Sequence, residues 1–119
     1  MPILGTCYYE SVVRIIARKT LTGFVESLRG RKDQNVVRSA LNAWFHEVQS
    51  ADWHTPADVA RAYANASIVG GDRVVFNIKG NAYRLVVAVD YPRQIVFIKW
   101  LGRHAQYDKI DVRKVRYGD

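Results

Sequence analysis

The sequence predicts an α+β fold. Two to three N-terminal helices pack on an antiparallel sheet whose C-terminal part is a three-strand meander. Three observations carry this. Apolar residues in the first half recur mostly at helical spacing, from residue 73 onward they alternate, and the turns between the alternating runs are short and rich in Gly, Asn and Pro. Helices first and strands afterwards place one helical layer on one sheet face. With 119 residues the chain suits one compact domain, 1–119.

The elements follow in order. "VVRIIAR" (12–18) is short and β-branched and reads as a first strand. It is apolar on both faces, which suits a central or helix-covered position. Leu21, Phe24, Val25 and Leu28 then mark a buried helical face, with Thr20 as a candidate cap and Gly30 as a stop. After "RKD", the stretch "DQNVVRSALNAWFHEVQSADW" is the strongest helix: Val37, Leu41, Trp44 and Val48 form one stripe, and Asp33 is the candidate N-cap. His46 and Glu47 lie beside the stripe and read as solvated. Thr55, Pro56 and Asp58 give a compact helix start, and a short helix runs from about residue 56 to 63.

The meander comes next. "DRVVFNI" alternates, "KGN" turns with Gly80 and Asn81 able to take positive φ, and "AYRLVVAVDY" alternates again. "PRQ" turns the chain, since Pro92 does not fit inside a ladder, and "IVFIKWLG" is the third strand. After Gly102 the chain is expected to turn away from the sheet edge.

Composition narrows the function classes. Hydrophobic residues make up 49% and charged residues 24%, a globular balance. No apolar run approaches the ~20 residues of a membrane helix, and the N-terminus lacks the pattern of a signal peptide, so a cytoplasmic protein without a membrane partner is expected. Cys7 stands alone, and His46, His54 and His104 have no metal-ligand spacing, so neither a disulfide, a metal nor another cofactor is expected. Net charge is +7 and unevenly spread. Residues 1–71 hold 8 Lys/Arg against 6 Asp/Glu, whereas residues 72–119 hold 10 against 5. A basic surplus in the sheet half favours a polyanionic partner, either nucleic acid or an acidic protein segment.

Candidate chemistry gathers at the end of the meander. With one sheet face on the helices, the other is expected to be open, and Arg73, Arg84 and Lys99 lie on its strands. Arg84 sits among core-forming neighbours, which predicts a partly covered stem and a fixed planar head suited to a phosphate. Beyond Gly102 come Arg103, His104, Tyr107 and Asp108. In a helical turn, His104 would share a face with Tyr107 and Asp108, putting an imidazole, a phenol and a carboxylate together. By pattern alone, a solvated strand end explains the same residues.

The stretch "RVVFNIKGNAYRLVVAVDYPRQIVFIKWLGRHAQYDKID" (73–111) resembles the C-terminal half of HigB-type toxins, in the RelE-like superfamily of mRNA interferases. The elements that carry it are "VFNIKGNAYRLV", an apolar strand, and "GRHAQYDKID". "AWFHEVQSADWHTPADV" (43–59) is similar to the family's second helix and following loop, and the resemblance spans roughly residues 13 to 111. Residues 1–11 then read as an N-terminal extension, and "VRKVRYGD" as an added basic tail.

The resemblance implies a toxin that cleaves mRNA, often on translating ribosomes, without a metal, and that is neutralised by a HigA-like antitoxin carrying a helix-turn-helix domain. It implies Arg84 as the phosphate clamp, with His104 and Tyr107 completing the catalytic set. Arg73, Lys79, Lys99 and Arg103 would contact RNA, and Asp108 would orient His104 or only cap the turn. Two other classes produce the same composition. One is a non-catalytic RNA-binding module that stacks bases on exposed aromatics such as Trp100 and Tyr83. The other is a structural subunit whose basic groove receives an acidic partner.

Overall fold

The computed structural model describes residues 13–115. Strand β1 (Arg14–Ile16) leads into α1 (Arg18–Ser27), α2 (Gln34–Gln49) and α3 (Pro56–Ala62). The strands β2 (Ser67–Val69), β3 (Arg73–Ile78), β4 (Tyr83–Asp90) and β5 (Ile95–Arg103) follow, and a single helical turn, α4 (His104–Tyr107), comes after β5. The sheet has five strands in the order β1-β5-β4-β3-β2, antiparallel except for the parallel β1–β5 pair. The predicted α+β architecture and its meander are therefore present. Cys7, the N-terminal extension and the last residues of the basic tail lie outside the described residues.

The helices form because their apolar residues repeat at the helical period and meet one sheet face. Leu21, Val25 and Leu28 of the first hairpin arm and Val37, Leu41, Trp44, Phe45 and Val48 of the second are buried. They pack in one cluster with Val74, Phe76 and Ile78 of β3, Tyr83, Leu85, Val87 and Val89 of β4, and Val96, Ile98 and Leu101 of β5. Phe76 is the aromatic centre. Its ring lies 5.5 Å from Trp44, 5.0 Å from Tyr63 and 6.2 Å from Trp53, joining α2, the 50s loop and the end of α3 to the sheet. Such pairs add about 0.5–1.5 kcal/mol beyond area burial.

Local signals hold to different degrees. At α3 the capping box is complete: the Asp58 N–H donates to Thr55 Oγ1, and the Asp58 carboxylate accepts from the N–H groups of His54 and Thr55. Those amide donors hold Asp58 below the usual carboxylate range, with the bond from His54 contributing most. Helix α1 begins two residues before the expected Thr20 cap. Ala17, in extended conformation, is the capping residue, and its carbonyl accepts from the Thr20 N–H. Gly30 falls just past the end of α1, at φ +88°. The first strand is shorter than its β-branched run and lies at the sheet edge, not at the centre. Its pairing with β5 joins segments about eighty residues apart, which no local pattern encodes. In the β3–β4 turn the positive φ values fall on Lys79 and Gly80, not on Gly80 and Asn81. Ile78 pairs with Tyr83, so four residues make the turn and Asn81 is left to use its side chain.

The second sheet face is not open throughout. Val75, Val86 and Ala88 point away from the helices, yet they are only 3%, 0% and 8% exposed. The C-terminal segment is tied over this side: Arg73 Nη1 donates to the carbonyls of Val112 and Val115, each at 2.9 Å.

Candidate active site

A row of three residues crosses the helix-distal face of the sheet. Asn77 on β3 stands opposite Arg84 on β4, and Arg84 stands opposite Gly102 on β5. Alternation puts these side-chain positions on one face, because Ile78, Tyr83 and Leu101 next to them point into the helix-facing core. Arg84 Nη1 donates to Asn77 Oδ1 at 2.5 Å and to Asn81 Oδ1 at 3.1 Å. Its guanidinium carbon lies 5.5 Å from the centre of the Tyr107 ring. The expected fixed head is thus found, half-buried and held between two amide oxygens and a phenol ring. Among the described residues, no carboxylate lies within ion-pairing distance of it.

Tyr107 is placed by β5 and α4 together. The ladder between β4 and β5 shifts at Val86/Val87: Val86 pairs with Trp100 and Val87 with Ile98, which leaves Lys99 as the extra residue of a bulge. A bulge re-aims the side chains that follow it. Trp100 is half-buried, and its ring lies 6.2 Å from that of Tyr107. The indole occupies the space above Gly102, where a Cβ would sit 2.6 Å from the ring. Gly102 is therefore a buried strand residue that makes room for Trp100. It is not the point where the backbone turns. The turn comes at Arg103–His104: the Arg103 N–H donates to Gln106 Oε1 at 3.1 Å, and the His104 N–H to the Ala82 carbonyl at 3.1 Å.

The remaining sequence candidates divide into two groups. His104 opens α4 and is exposed, three residues before Tyr107, so the expected helical turn does form. Arg103 is exposed at the end of β5, opposite Tyr83. Lys79 is exposed in the β3–β4 turn, next to the asparagines that hold Arg84. These three border the Arg84–Tyr107 pair along the chain or the ladder. Lys99 instead lays its ammonium over the Phe97 ring, 5.4 Å from the centre. Arg73 is at the opposite end of β3, engaged with backbone carbonyls. Asp108 caps α4 at its C-terminal side and is exposed, and among the described residues no side-chain hydrogen bond joins it to His104.

Sequence reasoning missed Asn77 and Asn81. The signal was present in "NIKGN", where two asparagines flank a tight turn, but only strand register shows that they face Arg84. It also misplaced Asp33. That residue stands at the start of α2 yet makes no side-chain cap bond. Its carboxylate accepts from the Tyr83 hydroxyl at 2.7 Å and from Arg31 Nε at 3.2 Å. The Tyr83 bond is the main reason that Asp33 is held below the usual carboxylate range. Burial first, and this carboxylate second, push the Tyr83 phenol up. The pair fixes the first residue of β4, next to Arg84.

A cleft of about 780 Å³ opens between α2, the α3–β2 connection and the β3–β4 turn, with Trp44, Glu47, Tyr63, Asn65, Lys79 and Asn81 among its lining. Asn77 also lines it, and donates through Nδ2 to the Asn65 carbonyl at 3.3 Å. Within the cleft, the Tyr63 hydroxyl donates to Glu47 at 2.6 Å. Burial and that carboxylate push the Tyr63 phenol well above its ordinary range.

In chemical terms, one corner of the molecule offers a fixed cation with no carboxylate partner among the described residues, a phenol against it, and an exposed imidazole one helical turn away. Such a corner can hold an anionic oxygen and exchange protons with it. Among the described residues, no helix is long and apolar enough to cross a membrane.

The mRNA interferase HigB of Escherichia coli O6:H1 (strain CFT073) is 25% identical over 73 residues, covering 60% of this chain and 71% of that protein. The family model of the HigB toxin, described as the RelE-like toxic component of a toxin-antitoxin system, matches residues 37–110. This match begins at Val37 within α2 and runs through every later element to α4, including the residues of the Arg84 corner. The chain belongs to the HigB family of RelE-like toxins.

Proposed function

We propose that this protein is an mRNA interferase, an endoribonuclease that arrests translation by cutting mRNA, and that the Arg84 corner is its active site. The carrying observation is the guanidinium of Arg84, held by neutral amides, facing Tyr107 and free of any carboxylate among the described residues. A cation so arranged keeps its full charge for a phosphate.

The reaction needs no metal in this reading. A base takes the proton of the substrate's 2′-hydroxyl, the oxygen attacks the adjacent phosphorus, and Arg84 stabilises the charge that develops on the phosphoryl oxygens. An acid then protonates the departing 5′-oxygen. His104 is the principal acid or base, and Tyr107 orients the 2′-hydroxyl or shares the proton transfer. Arg103 and Lys79 line the approach of the RNA, and Lys99 contributes if it swings from Phe97. Arg73 serves the fold more than the substrate. Asp108 caps α4. The whole chain acts as one toxin domain on mRNA at the ribosome in the cytoplasm, and a HigA-like helix-turn-helix antitoxin neutralises it. The name of the E. coli relative supports the activity.

The test is product chemistry. In a reconstituted translation mixture, purified protein should generate new RNA ends carrying a 5′-hydroxyl and a 2′,3′-cyclic phosphate. His104→Ala should slow their formation about 10²–10⁴-fold. Protection of RNA without new ends would identify a non-catalytic RNA-binding module instead.

A further inference from the structure

The functional reading leaves Asn77 and Asn81 without a role, and they are the residues that hold Arg84. Asn77 stands directly across the ladder, and its Oδ1 accepts from Arg84 Nη1 at 2.5 Å. Asn81 comes from the β3–β4 turn and accepts from the same nitrogen at 3.1 Å. Asn77 is itself held from behind, since its Nδ2 donates to the Asn65 carbonyl at 3.3 Å. That bond settles the orientation of its amide, because only Oδ1 is then left to face the guanidinium.

Both partners are neutral. An amide oxygen fixes the guanidinium plane as a carboxylate would, but it leaves the positive charge uncompensated. A carboxylate at the same distance would cancel the charge that a bound anion needs. With both acceptors on one terminal nitrogen, and the Tyr107 ring against the guanidinium carbon, the remaining N–H groups have a fixed plane in which to meet an anion. Five donors are available on an arginine, so two neutral contacts do not exhaust it.

We propose that Asn77, seconded by Asn81, is a positioning residue that orients Arg84 while preserving its charge, and that its neutrality is what the site requires. This rests on Arg84 being the phosphate-stabilising residue. Asn77 acts on the substrate through Arg84, and the bond to Asn65 ties that alignment to the loop between α3 and β2.

The test compares Asn77→Asp with Asn77→Ala in single-turnover cleavage of mRNA in a reconstituted translation mixture, alongside Arg84→Ala. Thermal midpoints are measured on the same proteins. The aspartate keeps an acceptor at the right place but pairs with the cation. The alanine removes the acceptor and leaves the cation charged. The expected result is that Asn77→Asp cleaves more slowly than Asn77→Ala, by about tenfold or more, although its thermal midpoint is no lower. Raising salt should slow Asn77→Asp less steeply than the wild type, because one cation no longer counts toward the RNA. A merely structural asparagine gives the reverse order, with alanine the worse of the two. If Asn77→Asp is as active as Asn77→Ala or more so, while Arg84→Ala is inactive, the positioning role is refuted and the site assignment stands. If Arg84→Ala retains full cleavage, the site assignment fails and the role of Asn77 fails with it.

Discussion

The guanidinium carbon of Arg84 sits 5.5 Å from the centre of the Tyr107 ring, so a central strand and the terminal helical turn share one contact. This contact separates two roles of Tyr107. Tyr107→Phe keeps the ring against Arg84 and removes the hydroxyl. It should lower the maximal cleavage rate and alter its pH profile while leaving RNA affinity unchanged. Tyr107→Ala removes both, and should also lower stability by about 0.5–1 kcal/mol, the size of an exposed cation–π contact, and slow cleavage further because Arg84 loses the ring that orients it. Thermal melts, filter binding and single-turnover rates on the two variants check this.

Gly102→Ala should damage the site from within the strand. The added Cβ would meet the Trp100 ring at 2.6 Å and Gln106 Oε1 at 3.1 Å, so either the indole or the start of α4 must shift. Overpacking of this kind costs about 1–3 kcal/mol. Thermal denaturation should show that loss, and cleavage should fall further than stability alone accounts for, because Trp100 packs beside Tyr107.

Arg73→Ala should loosen the C-terminal segment. The two bonds from Arg73 Nη1 to the Val112 and Val115 carbonyls hold that segment over the sheet, and hydrogen bonds to charged groups contribute about 1.5–3 kcal/mol each. Limited proteolysis should cut the variant faster after residue 108 than the wild type. Its salt dependence of RNA binding should match the wild type, because Arg73 lies at the end of β3 away from the Arg84 corner.

Acid should act on the fold through Asp33 and Asp58, both held below the usual carboxylate range. The folded state then binds fewer protons than the unfolded one. Their contribution is complete above the ordinary carboxylate value of about 4 and is lost as pH falls through the lowered folded values. Tyr83→Phe removes the main donor to Asp33. The variant should be less stable than the wild type at neutral pH, and the gap should close as the pH falls below about 4. Denaturant melts at several pH values give the two curves.

Much of this architecture was legible in the sequence, for identifiable reasons. The stripe Val37, Leu41, Trp44, Val48 fixes α2 because helical periodicity is a local property. Thr55, Pro56 and Asp58 fix the start of α3 because a capping box closes within four residues. Arg84 stood out because an arginine among core residues has few ways to be accommodated. What was hidden depends on distant segments meeting. Strand β2 has three residues and no pattern of its own, so only its pairing with β3 makes it a strand. The parallel β1–β5 pair, the bulge at Lys99 and the Tyr83 bond that draws Asp33 away from capping all require the register of the sheet. The engagement of Arg73 by residues 112 and 115 was invisible for the same reason. An exposed cation and an anchored one look identical in a sequence.

The decisive measurement is mapping of RNA 5′ ends after brief induction of the wild type and of a folded Arg84→Ala variant at equal protein levels. New 5′-hydroxyl ends should appear throughout translated mRNAs with the wild type and fall by about 10²-fold or more with Arg84→Ala, the usual cost of removing one charge stabiliser. Equal numbers of ends at the same positions from both proteins would contradict an active site built on Arg84.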